Sequence, residues 1–115
     1  MSEKKKEEKL SELYKDIYEC LEKLRTAVDD AQDILTSDED DFTIIMNKYG
    51  NDIYIVPQID SHAYLKRFPV QSLDKVGECI NVAKWEWLCN LINYMKELIK
   101  QLYAYGLQAK AIAET

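Results

Sequence analysis

The sequence predicts an α+β fold: a long N-terminal helix, a β-hairpin and a long C-terminal helix, packed with a small antiparallel sheet that dimerisation is expected to complete. Three observations carry this. Apolar residues recur at heptad spacing from Leu10 to Leu35, alternate with period two on either side of Gly50-Asn51, and return to helical spacing between Ser72 and Leu107. At 115 residues the chain suits one domain, residues 1–115, large enough for its own core and small enough to gain from oligomerisation.

The first helix is expected over residues 9–36, with 1–8 frayed. Leu10, Tyr14, Ile17, Leu21, Leu24, Val28, Ala31 and Leu35 alternate in steps of four and three, as a seam facing a partner does. Leu13, Cys20, Ala27 and Ile34 widen it to the three-sevenths face of a bundle helix. The charges oppose the helix dipole: Lys4, Lys5 and Lys6 stand at the start, and Asp29, Asp30 and Asp33 at the finish, with no matching base nearby. Something elsewhere in the fold should offset them.

Ser37 to Asp41 reads as a connection, and residues 42–59 as a hairpin turning at Gly50-Asn51. If Tyr49 faces Asp52, then Phe42, Ile44, Met46, Ile53, Ile55, Pro57 and Ile59 share one face, with Thr43, Asn47, Asp52, Tyr54 and Gln58 on the other. Pro57 marks the end of the pairing or an edge, since it cannot donate to a ladder. A lone hairpin is marginal in water, so it must pack on helices or pair with another copy. Between Asp60 and Val70 a short helix through Arg67 is preferred, although the alternation around Tyr64, Lys66 and Phe68 also permits a third strand. Ser72 then caps the second helix, expected over 72–107, with 108–115 a tail.

That helix organises the chain, because its apolar residues fill two bands. Ile80, Ala83, Trp87, Leu91, Tyr94, Leu98 and Tyr105 form the first, a core stripe. Trp85, Leu88, Ile92, Met95, Ile99 and Tyr103 form a second about 100° further round. One other helix and a hairpin are too little to cover both. Uncovered apolar surface of several hundred Å² usually marks a partner site, so Trp85, Ile92, Met95 and Ile99 are the expected self-association residues.

The net charge of −6 is local: residues 16–41 hold two basic residues against ten acidic ones. Broad phosphate-backbone binding needs clustered Lys and Arg, so nucleic acid is not an expected partner. A helix-hairpin-helix order also suits a winged-helix DNA-binding regulator, but the segment ahead of the hairpin is the most acidic of the chain. The run Asp38, Glu39, Asp40 and Asp41 is the expected docking site for an unidentified protein, to which a basic surface would be suited. It lacks the spaced oxygen ligands and turn glycine of a calcium loop.

No catalytic, cofactor-binding or metal-ligating set is legible. His62 is the only histidine and has no neighbouring nucleophile or ligand in sequence, the three glycines are isolated, and no C-x-x-C pair occurs. Cys79 and Cys89 would lie about 15 Å apart along one helix and cannot pair there. Three odd thiols therefore fit buried side chains in a reducing compartment, with Cys20 a lesser candidate for an intermolecular contact. Without a signal-like or membrane-length apolar run, a cytoplasmic protein that binds no membrane is expected.

The segment Lys48-Tyr49-Gly50-Asn51-Asp52-Ile53-Tyr54-Ile55-Val56, set between two helices, resembles the glycine turn and apolar strand of a prefoldin subunit. The resemblance implies a chaperone-like role or a small structural subunit of a larger complex. Pro69 and the broad apolar faces depart from its extended coiled coils. The function expected first is a non-enzymatic, homodimeric protein-binding adaptor or inhibitor with a local acidic surface.

Overall fold

A computed structural model describes residues 2–49, 51–57 and 65–115, the side chain of Glu39 apart. Helix α1 (Glu3–Thr36) is followed by a 3-10 turn (Glu39–Asp41), strands β1 (Phe42–Met46), β2 (Ile53–Pro57) and β3 (Phe68–Val70), a second 3-10 turn (Leu73–Lys75) and helix α2 (Val76–Ala113). Two long helices and a three-stranded antiparallel sheet, ordered β1-β2-β3, make this the expected α+β arrangement. Among the described residues no helix is long and apolar enough to cross a membrane.

Both helices are longer than their periodicity suggests. Ser2 caps α1: its Oγ accepts the Lys5 N–H at 3.3 Å and its carbonyl accepts the Lys6 N–H at 3.0 Å. Such a cap is worth about 1 kcal/mol, and the helix starts at Glu3 instead of Lys9. At the other end α2 runs through Gly106 to Ala113. Glycine costs a helix about 1 kcal/mol, which the good helix formers Ala109, Lys110, Ala111 and Ala113 offset. Ser72 precedes the 3-10 turn, not α2 itself, and its hydroxyl bonds the Asp74 carboxylate instead of capping a backbone N–H.

The hairpin register differs from expectation by two residues. Phe42 faces Pro57, Ile44 faces Ile55 and Met46 faces Ile53. The strands close at Asn47 and Asp52: the Asn47 N–H donates to the Asp52 carbonyl at 3.1 Å, and Asn47 Oδ1 accepts the N–H groups of Asn51 and Asp52. Asn47 thus supplies hydrogen bonds of the turn, while Gly50, expected within it, lies outside the described residues. A shift of two leaves every side chain on its face, so Phe42, Ile44, Met46, Ile53, Ile55 and Pro57 do share one side.

The short helix expected from Asp60 or Ser61 through Arg67 falls mostly outside the described residues; Leu65, Lys66 and Arg67 are not helical, and strand β3 follows them. Residues 58–64, which include Gln58, Ile59, Asp60, Ser61, His62 and Tyr64, lie outside the described residues. Phe68–Val70 pairs with β2, Ile53 facing Val70 and Ile55 facing Phe68. Pro69 is tolerated because β3 is an edge.

The chain forms two compact units. In the first, Met1–Ala27 with Met95–Thr115, the helices pack through Leu13, Cys20, Ala27 and Leu98, all buried. The Cys20 thiol donates to the Leu98 carbonyl at 3.3 Å. The second, Val28–Tyr94, holds the sheet together with the end of α1 and the start of α2. Its core holds Ala31, Ile34, Phe42, Ile53, Ile55, Leu65, Val70, Ile80, Ala83, Trp87 and Leu91. Trp87 ties the layers together: its ring stacks on Phe42 with centroids 5.6 Å apart, and Nε1–H donates to the Lys66 carbonyl at 2.6 Å.

Candidate interaction surface

Burial divides α1 one residue away from the expected seam. Leu13, Cys20, Ala27, Ala31 and Ile34 are buried and Leu10, Ile17 and Leu24 half-buried, whereas Tyr14, Leu21, Val28 and Leu35 are exposed. The apolar face is broader than seven residues in two turns require, so periodicity alone could not say which edge of it meets the neighbour. Tyr14, Leu21, Val28 and Leu35 repeat every seven residues and, with the exposed Tyr18, form a row along the outside of α1.

The first band of α2 is the core stripe: Ile80, Ala83, Trp87, Leu91 and Leu98 are buried, Tyr94 and Tyr105 half-buried. The second band faces out. Trp85 is 63% exposed, Ile92 40%, Ile99 55% and Tyr103 70%, while Leu88 and Met95 are half-buried. Of the expected self-association residues, Met95 therefore offers the least surface. Val82 and Cys89 extend the row toward the N-terminus, and Lys96 interrupts it.

In the first unit the rows on the two helices turn to the same side. Leu21 follows the buried Cys20, and Ile99 follows its contact Leu98. One residue is a rotation of about 100°, and on antiparallel helices equal rotations of opposite sense turn both side chains to one flank. In the second unit the same step takes Ile34 to Leu35 and Leu91 to Ile92. There the opposite flank carries Asp30 and Ala83, both buried. In that unit the helices are thus apolar on the flank away from the covered one. In the first unit, Ile99, Leu102, Tyr103, Gly106, Leu107 and Lys110 line an open groove of about 480 Å³.

The acidic run is a closed turn. Asp41 Oδ2 accepts the Asp38 N–H at 2.7 Å, and the Asp41 N–H donates to the Asp38 carbonyl at 3.0 Å. Asp38, Asp40 and Asp41 are exposed. Asp41 is committed to the turn, and among the described side chains Asp38 and Asp40 turn outward.

The thiols divide three ways, all unpaired with one another: Cys20 buried, Cys79 half-buried, Cys89 exposed. Cys20 is closed inside the first unit, which rules out the intermolecular contact considered for it. His62 lies outside the described residues. Among the described ones no group of three or more His, Cys, Asp or Glu is placed to hold a metal ion. Comparison with protein-family models, curated proteins and solved structures finds no match to this chain.

Proposed function

We propose that this protein is a self-associating, non-enzymatic protein-binding module, an adaptor or inhibitor, whose outer α2 row is its self-association surface. The observation that supports this is exposed apolar surface on the helices of each unit: Ile99 and Tyr103 with Tyr14, Tyr18 and Leu21 in the first, Trp85 and Ile92 with Val28 and Leu35 in the second. Large aromatic side chains each offer about 150–250 Å². Four of them more than half exposed, with five aliphatic neighbours, approach the roughly 800 Å² per partner of a standard interface. The outward carboxylates of Asp38 and Asp40 suit a second, basic protein, whose approach they would speed by long-range attraction.

Sedimentation equilibrium of wild type and Ile92→Asp tests the reading. Ile92 is exposed in one chain, so the charge is tolerated there and harmful only where a second copy buries it. The variant should lose an association step, its dissociation constant rising tenfold or more, with its melting temperature at low concentration unchanged. An unchanged mass distribution, or a wild type monomeric at high micromolar concentration, overturns the proposal. A prefoldin-like, client-holding role uses the same rows and is separated by assay: wild type, not the variant, would then suppress aggregation of unrelated unfolded proteins.

A further inference from the structure

The two edges of the sheet are not alike. The hydrogen bond from Asn47 N–H to the Asp52 carbonyl, between residues that face each other, fixes the phase of the β1–β2 ladder. Hydrogen-bonded pairs alternate with non-hydrogen-bonded ones, so Asn47, Ile45 and Thr43 turn their backbone groups to β2, and Met46, Ile44 and Phe42 turn theirs to the open edge. Pro57 agrees with this phase. It faces Phe42, in a pair where no N–H is required of it.

Applied to β3, the phase pairs Val70 and Phe68 with β2 and directs Pro69 outward. That edge offers three residues and lacks a donor at its middle, which blunts it against further pairing. Among the described residues, nothing pairs with the outer edge of β1. Its five residues, Phe-Thr-Ile-Ile-Met, include no proline and no charge, and Thr43, Ile44, Ile45 and Met46 are all exposed.

We infer that the β1 edge pairs antiparallel with β1 of a second copy, about a two-fold axis at Ile44, to give a continuous six-stranded sheet. In that register Ile44 faces Ile44 and Phe42 faces Met46, and each outward-pointing residue meets an outward-pointing residue. Three pairs then exchange six backbone hydrogen bonds. The charge pattern selects the same occupant. Ahead of β1 stand the exposed Asp38 and Asp40, and two residues past its end stands Lys48, also exposed. Antiparallel pairing brings the acidic turn of each copy beside Lys48 of the other, whereas parallel pairing would set acids against acids.

This interface is separate from the α2 row and does not rest on it. Two different two-fold interfaces on one chain carry assembly past a dimer, to a closed tetramer or an open chain. Wild type should therefore reach four copies or more, Ile92→Asp should stop at the strand-paired dimer, and Ile44→Pro, which removes an outward N–H, should stop at the helix-paired dimer. Monomeric Ile92→Asp would overturn the strand pairing and leave the helix reading standing. Monomeric Ile44→Pro with a wild-type melting curve would do the reverse.

Cysteine pairing gives a readout that asks little of folding. On a background with Cys79 and Cys89 replaced by alanine, Thr43→Cys and Ile45→Cys chains should crosslink when mixed. Those positions would form a non-hydrogen-bonded pair with Cα atoms about 4.5 Å apart, within disulfide reach. Equal crosslinking of each variant with itself, or none in the mixture, overturns the register.

Discussion

Lys84 Nζ lies 2.9 Å from the carbonyl oxygen of Ser37, so a base from the third turn of α2 caps the acidic end of α1. The neighbouring carbonyls are also answered: Thr36 Oγ1 donates to Gln32 at 2.9 Å, and Ser37 Oγ donates to Ile34 at 2.7 Å. This is the offset that Asp29, Asp30 and Asp33 call for. A cation at a helix C-terminus contributes about 0.3–1 kcal/mol, rising toward 2 when partly buried, and Lys84 is half-buried.

Lys84→Met should therefore destabilise the fold by about 1–2 kcal/mol. Adding Asp33→Asn should recover part of that loss, since it removes an acid from the same helix end. Urea denaturation of the two single variants and the double variant measures the coupling. Strict additivity would mean that Lys84 acts by packing its stem alone.

Trp87→Phe should cost about 1–3 kcal/mol, because the stack on Phe42 survives while the Lys66 carbonyl loses its buried donor. Fluorescence separates the tryptophans. In the variant carrying both Ile92→Asp and Ile44→Pro, which should be monomeric, emission from Trp85 should be readily quenched by acrylamide and that from Trp87 should not. As wild-type concentration rises, Trp85 should become protected.

Thiol labelling follows burial. Cys89 should react with an aromatic disulfide reagent at the rate of a free thiol, Cys79 more slowly, and Cys20 only as the chain opens. Cys20→Ala should cost about 1 kcal/mol for the lost sulfur packing and its bond to Leu98. Protection of Cys89 at high protein concentration would report covering of the α2 row.

Within the acidic turn, Asp41→Asn and Asp40→Asn should part company. The former weakens a charge-assisted bond to the Asp38 N–H, about 0.5–1.5 kcal/mol, whereas the latter should leave the melting temperature unchanged. Both reduce attraction to a basic partner, so stopped-flow association at low salt should slow in each. Equal melting temperatures would show that the Asp41 contact contributes nothing net.

Gly106→Ala places a methyl group where no other atom lies within 4 Å. The helix should gain about 1 kcal/mol in propensity. Thermal denaturation at low concentration measures that gain. If a second copy approaches closely at this groove, association should weaken even as the monomer becomes more stable.

The sequence alone determined the order of elements, the two faces of the hairpin and the two bands of α2. Periods of 3.6 and 2 are local properties of the chain, and a register error of two residues leaves period-two faces intact. Which edge of the broad α1 face is buried was a tertiary decision, because Ile34 and Leu35 are about equally apolar and only packing separates them, the first buried and the second exposed. Strand β3 belongs to the same class: three residues around Pro69 become a strand because Ile53 and Ile55 of β2 offer them partners. The cap on α1 was equally hidden, since 47 residues separate Ser37 from Lys84, and a charge meeting a carbonyl at that distance leaves no periodic trace. Local rules fixed what each segment could be, and packing chose which of its faces would meet another.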